Sequence, residues 1–442
     1  MSRRSRKRLP QEPIELTIED LSHDGRGVAK WNDKVVFVQN ALPGEVVMAK
    51  LNRNTRNYNE ALATEIKQAS DDRTVPRCEY YTICNGCSMM HLKEEKQIEF
   101  KFNTLKNNFH KIAHVMPERW WEPLTDSHWH YRRRARLSAK WVTAKDKMLV
   151  GFREKNGRFV ADMDRCYVLE ERLAGLITPL SELFAQTTIK AFIPQVECSM
   201  GDNVTALIIR HMKPFSSDDL MLIKQFADQH DLQIYLQSKG PETVTPLEKY
   251  DQPLRFHLDS YQLTYEFLPN DFIQVNRRMN EKMIAQALEA MALSSGDVVL
   301  DLFCGLGNFT LPMAQSAAQV VGVEGDLQLV ERARHNAELN QLENVSFYQA
   351  DLTKDQDNSE WFNRPFTKVL IDPPRSGAWE ILPLIAQTAA KTLVYVSCHP
   401  ASLARDTDRL VNELGFTLQQ AGVMDMFPHT SHVESMAIFV RA

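Results

Sequence analysis

The strongest constraint in this chain is Val298-Val-Leu-Asp-Leu-Phe-Cys-Gly-Leu-Gly-Asn308, an apolar run that breaks into a glycine turn. Such a run is a buried strand, and Gly305 and Gly307 let the backbone come close to a ligand at its C-terminal end. It opens a series of apolar runs at 298–303, 320–324, 345–348, 368–371 and 393–397. A helical stretch over 275–292 precedes them, and helical patterns at 328–339 and 381–390 separate several of them. Strands alternating with helices at this spacing predict an α/β architecture with a doubly wound, mostly parallel sheet over residues 271–442.

The residues before it read differently. Over 10–69, Ile14, Leu16 and Ile18 alternate, apolar runs follow at 35–38 and 46–51, and Asp24-Gly25-Arg26-Gly27 and Pro43-Gly44 mark turns. Short strands with turn signals predict a small OB-like β-barrel. Residues 1–9 form a basic tail, and residues 70–270 are a mixed α+β central part. Within it, Leu92, Ile98, Phe102, Leu105, Phe109 and Ile112 fall at helical spacing, which predicts a helix near 91–113 whose apolar stripe packs into a core. The excursion over about 91–126 is expected to pack on the C-terminal domain.

The 442 residues are 43% hydrophobic and 25% charged, a globular balance that excludes a collagen-like, disulfide-rich or largely disordered chain. No apolar run of about 18 residues exists, so no membrane span is expected. Met1 to Arg8 are basic but no apolar segment follows, so no secretory signal is expected and a cytoplasmic, reducing compartment is. There the seven cysteines are metal-binding, catalytic or buried rather than disulfide-bonded. No coiled-coil or interface pattern is present; a monomer with no obligate protein partner is the default.

The net charge of −5 conceals an uneven spread. Between His128 and Val160 stand ten basic residues, from Arg132, Arg133, Arg134 and Arg136 to Arg158, against only Asp146 and Glu154. From Asn270 to Ala442 the count reverses to 13 basic and 21 acidic. A charge run is most often a solvated face. Here Trp129, Tyr131, Trp141, Phe152 and Phe159 interleave with the cations, and bases stack on rings while phosphates meet Arg and Lys. The pattern favours RNA contact.

The glycine turn has company. A dinucleotide fingerprint carries a third glycine where this chain has Thr310. Glu324 ends the second run, placed to accept both ribose hydroxyls, and Asp351 ends the third, near where an adenine edge lies. The first turn offers carboxylates rather than lysines, so a nucleoside ligand without a pyrophosphate is expected. S-adenosylmethionine fits, because its sulfonium is cationic and tolerates acidic neighbours.

Asp372-Pro-Pro-Arg375 follows the fourth run, and its prolines stiffen the turn that aims Asp372 at the pocket. Enzymes that methylate exocyclic base nitrogens often carry an aromatic where Arg375 stands, and cytosine-C5 enzymes carry Pro-Cys at this turn; neither pattern is present. The cysteine comes on the next run, in Tyr395-Val-Ser-Cys398-His-Pro400. A lone cysteine is usually a small buried hydrophobe. Beside a sulfonium site it supplies a missing chemistry. Carbon 5 of uracil is a poor nucleophile until a thiolate adds to C6, and afterwards a base must remove the C5 proton. The candidate base is Glu434 in His432-Val-Glu-Ser-Met436, which on the residues alone is more simply an ordinary strand-edge carboxylate.

Asp-Pro-Pro-Arg, Ser-Cys-x-Pro and His-Val-Glu in this order, with Asp271-Phe-Ile-Gln-Val-Asn276 ahead of the glycine turn, resemble the RNA uracil-C5 methyltransferase family over nearly the whole chain. The resemblance implies a Rossmann-like class I methyltransferase fold in the C-terminal domain. It implies Cys398 as nucleophile and Glu434 as acceptor of the C5 proton. By matching position, Gln274, Phe303, Asn308, Glu324, Asp351 and Asp372 would line the S-adenosylmethionine site. Some members have Asn where Asp351 stands, and the family often has Asn where His399 stands. Phe272 is a stacking partner for the target base or, with equal weight, a core residue.

Cys78-x5-Cys84-x2-Cys87 is compact, and Cys166 lies far downstream. Ligand count alone allows zinc or an iron–sulfur cluster. The resemblance favours a [4Fe-4S] cluster and an N-terminal barrel of the TRAM type. Both features point to the branch of the family that acts on 23S ribosomal RNA, with a single-stranded or locally unfolded uridine as target. The competing readings are uridine methylation of tRNA by the same chemistry and, from another class, a non-catalytic iron–sulfur RNA-binding or ribosome assembly factor.

Overall fold

The computed structural model describes residues 10, 12–155, 157–354, 356 and 359–441; the basic tail expected over residues 1–9 lies outside them. By compactness the chain divides into two units, Met1–Lys101 with Phe427–His432, and Phe102–Met426 with Val433–Ala442.

The first unit is built on β1 (Ile14–Thr17), β2 (Asp20–Leu21), β3 (Gly27–Trp31), β4 (Lys34–Gln39), β5 (Val46–Asn54) and β6 (Tyr58–Gln68), in the order β1-β5-β6-β4-β3-β2. Neighbours are antiparallel except β4 with β6. Alternate side chains point inward, so that Val36 and Val38 of β4 share a core with Val47, Ala49 and Leu51 of β5 and Ala61 and Ala63 of β6. Gly25 and Gly44 take φ of 79° and 81° at the two turns marked by the sequence. Strand β6 carries no apolar alternation in its sequence, because its inward positions are Asn59, Ala61 and Ala63.

The helix Glu94–Asn108 runs on into a π-helical turn, Phe109–Ala113. Leu92, Leu105 and Phe109 are buried as their spacing predicts, but Ile112 is 39% exposed. The wider i→i+5 turn rotates Ile112 off the buried face, so the core role expected for it is corrected.

In the second unit the two-residue β7 (Arg119–Trp120) precedes a sheet the sequence did not announce. It comprises β8 (Arg134–Val142), β9 (Lys147–Gly151), β10 (Gln195–Met200), β11 (Thr205–Arg210), β12 (Leu232–Gln237) and β13 (Val244–Pro246), in the order β13-β12-β11-β10-β8-β9. A hairpin of β14 (Leu254–Leu258) and β15 (Leu263–Phe267) follows.

The third sheet contains β16 (Val298–Leu302), β17 (Gln319–Glu324), β18 (Val345–Gln349), β19 (Lys368–Ile371), β20 (Thr392–Ser397), β21 (Thr417–Met424) and β22 (Glu434–Val440). Its order is β18-β17-β16-β19-β20-β22-β21-β7. The strands from β18 to β20 are parallel, and β22 inserts antiparallel between β20 and β21. The five apolar runs are β16 to β20, each end within one residue of its expectation. Chain order reverses between β16 and β19, and a crevice opens at the C-terminal edge of a parallel sheet at such a point. Gly322 of β17 keeps the sheet closed behind that crevice, since a Cβ there would lie 2.6 Å from Cδ1 of Phe347. Among the described residues no helix is long and apolar enough to cross a membrane.

Candidate active site

The turn after β16 is held in shape by its neighbour strand. The amides of Phe303 and Cys304 both donate to the Val323 carbonyl, at 2.9 and 3.1 Å. Phe303, Gly305 and Gly307 all take positive φ, of 64°, 54° and 87°. The two glycines adopt this freely, whereas Phe303 is strained, a cost surrounding structure must hold in place. The turn walls a cavity of about 350 Å³ at the switch point. Gln274, Phe303, Asn308, Glu324 and Asp372, all expected at the cofactor, line it together. Phe272 lines it as well, with its ring 67% exposed, so the core alternative for this residue falls away. Asn308 is fixed by a reciprocal amide pair with Asn280, 2.9 Å in each direction.

Asp351 stands apart. It is exposed, two residues beyond β18, and is not among the residues that line the cavity. Hydrogen bonds from Thr353 and Lys354 hold its carboxyl down to about 2.

The charges of the cavity suit a cation. The Glu324 carboxylate accepts the Gly305, Gly325 and Asp326 amides at 3.1, 2.7 and 3.1 Å, which fixes it at the end of β17. Burial pushes Asp301 up to about 8, against a hydrogen bond from the Thr310 hydroxyl and with added repulsion from Asp372 and Glu324. Burial likewise pushes Asp372 up to about 7. One Asp301 oxygen is buried without a hydrogen-bond partner. A cluster of carboxylates this under-solvated gains by receiving positive charge.

Cys398 directly follows β20 and is half-buried. The β20–β22 ladder pairs Ser397 with Ser435. Cys398 and Glu434, 36 positions apart in the chain, are the residues next to that last pair, and the Glu434 carboxylate is close enough to act on the Cys398 thiol. Burial, then the Glu434 and Asp372 carboxylates, push the Cys398 thiol up to about 11, with Arg375 opposing. The sulfur is therefore protonated at neutral pH, and its attack requires a base beside it or a cation nearby.

The helix Pro400–Asn412 anchors both the thiol and the Asp372 loop. His399 caps it, its Nδ1 accepting the Ser402 amide at 3.3 Å, the work an asparagine side chain does at such a position. The Ser402 hydroxyl reaches the Arg375 carbonyl at 2.9 Å. Asp406 accepts the Ala378 amide and the Tyr395 hydroxyl, both at 2.7 Å, and Arg405 donates to the Ser376 carbonyl at 2.8 Å.

The other cysteines are placed as follows. Cys78 and Cys87 are partly buried, while Cys84, Cys166, Cys198 and Cys304 are buried. The Cys84 sulfur accepts the Gly86 amide at 3.3 Å, and the Cys166 sulfur receives the amides of Val168 and Leu169. Among the described residues no three His, Cys, Asp or Glu side chains stand in a metal-holding arrangement.

The basic run is not one solvated face. Arg133 is 3% exposed and Arg134 is largely covered, while Arg136 pairs with Glu197 at 2.9 Å and Lys147 with Asp162 at 2.6 Å. Arg133, Arg134, Asn280 and Asp406 escaped sequence reasoning as site-forming residues. Their partners lie tens of residues away or more, and no local pattern announces such pairs.

The family described as tRNA (uracil-5-)-methyltransferase matches residues 93–442, and the TRAM domain matches residues 7–63. A protein of Xanthomonas campestris pv. campestris (strain 8004), named 23S rRNA (uracil(1939)-C(5))-methyltransferase RlmD, is 48% identical over 99% of each chain. Its namesake from Stenotrophomonas maltophilia (strain K279a) is 49% identical over the same share. Among solved structures, the Pyrococcus abyssi tRNA (uracil-54, C5)-methyltransferase in complex with S-adenosyl-L-homocysteine matches with a TM-score of 0.74 and 24% identity. It covers 97% of this chain and 100% of its own, a likeness of fold.

Proposed function

The chain belongs to the tRNA (uracil-5-)-methyltransferase family, and from that premise we propose that it transfers the methyl group of S-adenosylmethionine to C5 of a uridine in 23S ribosomal RNA, at position 1939. The observation that carries this reading is the Cys398 thiol, which feels both the Glu434 carboxylate and Asp372, one of the two carboxylates that line the cavity. The choice of RNA rests on relatives 48% and 49% identical over 99% of the chain.

S-adenosylmethionine supplies an electrophilic methyl group on a sulfonium. Gln274, Phe303, Asn308, Glu324 and Asp372 would hold it: Glu324 for the ribose hydroxyls, Asp372 and the buried Asp301 for positive charge. The cavity volume of about 350 Å³ lies in the range of small-ligand sites. Asp351, two residues beyond β18, is proposed at the adenine edge.

The target base leaves its stack and presents its face to Phe272. The Cys398 thiol gives its proton to solvent and the thiolate adds to C6, which turns C5 into a carbon nucleophile. C5 takes the methyl group from the sulfonium, leaving S-adenosylhomocysteine; Glu434 then accepts the C5 proton and the Cys398–C6 bond breaks, releasing 5-methyluridine and the Cys398 thiolate.

For Cys78, Cys84, Cys87 and Cys166 we propose a [4Fe-4S] cluster with a structural role. Ligand spacing supports it, and the Cys84 and Cys166 sulfurs each accept backbone amides, which at Cys166 oppose the upward push of burial on the thiol. Iron and acid-labile sulfide are expected in the purified protein; stoichiometric zinc without iron ends this assignment. The protein is further proposed to act as a cytoplasmic monomer on a single-stranded or locally unfolded RNA segment, with the TRAM domain holding flanking nucleotides.

The test is methyl transfer to deproteinised 23S ribosomal RNA and, separately, to tRNA, followed by mapping of the modified nucleotide. Methylation confined to tRNA replaces the ribosomal reading. Methylation of neither RNA favours the non-catalytic one.

A further inference from the structure

Two arginines of the basic run face the cofactor cavity's wall rather than solvent. Arg132 forms an antiparallel bridge with Asn276, and the Arg133 amide donates to the Val275 carbonyl at 3.0 Å. The Arg133 Nε donates to the Gln274 carbonyl at 3.3 Å. Arg134 donates from Nη1 to the Asp271 carbonyl and from Nη2 to the Asn270 carbonyl, the latter at 3.1 Å. Two consecutive arginines thus occupy four carbonyls of the segment 270–276.

That segment supplies Phe272, Ile273 and Gln274 to the cavity. It ends in Asn276, whose side chain caps the helix Arg277–Met291 by accepting the Met279 amide at 3.2 Å. Asn280, on the first turns of that helix, is the partner of Asn308 in the glycine turn. The arginines therefore stand at one end of a hydrogen-bonded line whose other end is the cofactor loop.

Arg133 is costly as a core residue. It stacks 5.0 Å over the ring of Phe256, itself part of the cavity wall, with the Asp202 carboxylate at 3.4 Å. Its Nη2 is buried with no hydrogen-bond partner. Burial pulls the guanidinium down to about 10, so it remains a cation at neutral pH. A well-packed apolar side chain would be at least as stable there. What an apolar side chain cannot do is hold the Gln274 carbonyl.

We propose that Arg133 and Arg134 are positioning residues for methyl transfer, fixing the segment 270–276 so that Gln274 and Phe272 are presented to the cofactor cavity. The proposal rests on the reading of that cavity as the S-adenosylmethionine site. It also makes the run bifunctional, with Arg133 and Arg134 turned inward and only the remaining cations left for RNA.

Arg133→Lys and Arg134→Lys keep the charge and lose the forked donor geometry. With the full-length protein, S-adenosylmethionine binding is titrated directly without RNA, and kcat and KM are measured with RNA. Expected are a rise in Kd and KM for S-adenosylmethionine of about tenfold, the size of one lost charged hydrogen bond, little change in kcat at saturating cofactor, and unaltered RNA affinity. A general loss of structure would instead lower Tm and kcat and leave the Kd of the folded fraction unmoved. Unchanged cofactor affinity in the variants that fold overturns the proposal; if Arg133→Lys does not fold, Arg134→Lys decides alone. Failure of the unsubstituted protein to bind S-adenosylmethionine overturns the cavity reading, and this proposal with it.

Discussion

The cofactor cavity and the corner that holds Cys398 lie at the same sheet edge and solve opposite electrostatic problems. Glu324 and Asp372 line the cavity, the buried Asp301 is close enough to interact with both, and burial holds Asp372 and Asp301 up at about 7 and 8. The corner collects a thiol with Glu434 and Asp372 beside it, and the same burial and the same negative neighbours hold the sulfur at about 11, protonated until something removes its proton. One environment that discourages charge thus favours cation binding in one place and delays the nucleophile in the other. The shared group is Asp372. Positive charge received in the cavity also weakens the repulsion that keeps Cys398 neutral, which couples cofactor loading to activation of the thiol.

The largest test of this contrast is removal of the corner's sulfur. Cys398→Ala is expected to abolish turnover and covalent trapping by RNA containing 5-fluorouridine, while S-adenosylmethionine still binds; turnover by this variant would sink the mechanism. Glu434→Gln comes next. Methyl transfer should proceed once and product release should slow by about 10²–10⁴-fold, the usual contribution of a placed base. The diagnostic is an RNA–protein adduct on a denaturing gel, and its absence alongside normal release removes Glu434 from the role.

The cavity's side of the comparison is sharpened by pH. A sulfonium favours ionised Asp372 and Asp301, so its binding expels protons. Affinity for S-adenosylmethionine should rise as pH increases toward about 8 and level off above it, with a much flatter profile for the neutral thioether S-adenosylhomocysteine. Equal profiles for the two ligands would break the contrast. The sign for stability runs the other way. Both folded-state values lie above the 3.8 of an ordinary aspartate, so the folded protein without ligand holds protons that the unfolded chain releases, and this contribution to stability is lost as pH climbs from about 4 to 8. The smallest effect is at the cap. His399→Ala should cost about 1 kcal/mol of stability, and His399→Asn much less, because asparagine restores an acceptor at the helix start. Equal melting temperatures for the two variants would show that the cap contributes nothing.

Legibility followed the locality of the signal. Strands β16 to β20 stood out because a strand buried on both faces reads as a continuous apolar run. Glu324 and Asp372 were found because each sits where such a run stops. Strand β6 and the sheet of β8 to β13 were missed: the former turns Asn59, Ala61 and Ala63 inward, and the latter mixes edge arginines with short apolar stretches. The charge run was read as a face because a sequence does not reveal which guanidiniums find carbonyls, and Arg133 finds its partner 141 residues away. Asp351 was read as the end of the third run, whereas the strand stops at Gln349 and leaves it two residues beyond.

Strand β22 lies between β20 and β21 in the sheet yet follows both in the chain. The two ladders that join β20 and β21 into one sheet therefore both wait for a strand that comes after them in the chain. Glu434, the proposed acceptor of the C5 proton, opens this strand, whereas the glycine turn and Cys398 follow strands that come earlier in the chain. On that proposal, the strand that joins β20 to β21 also carries the group that lets the thiol turn over.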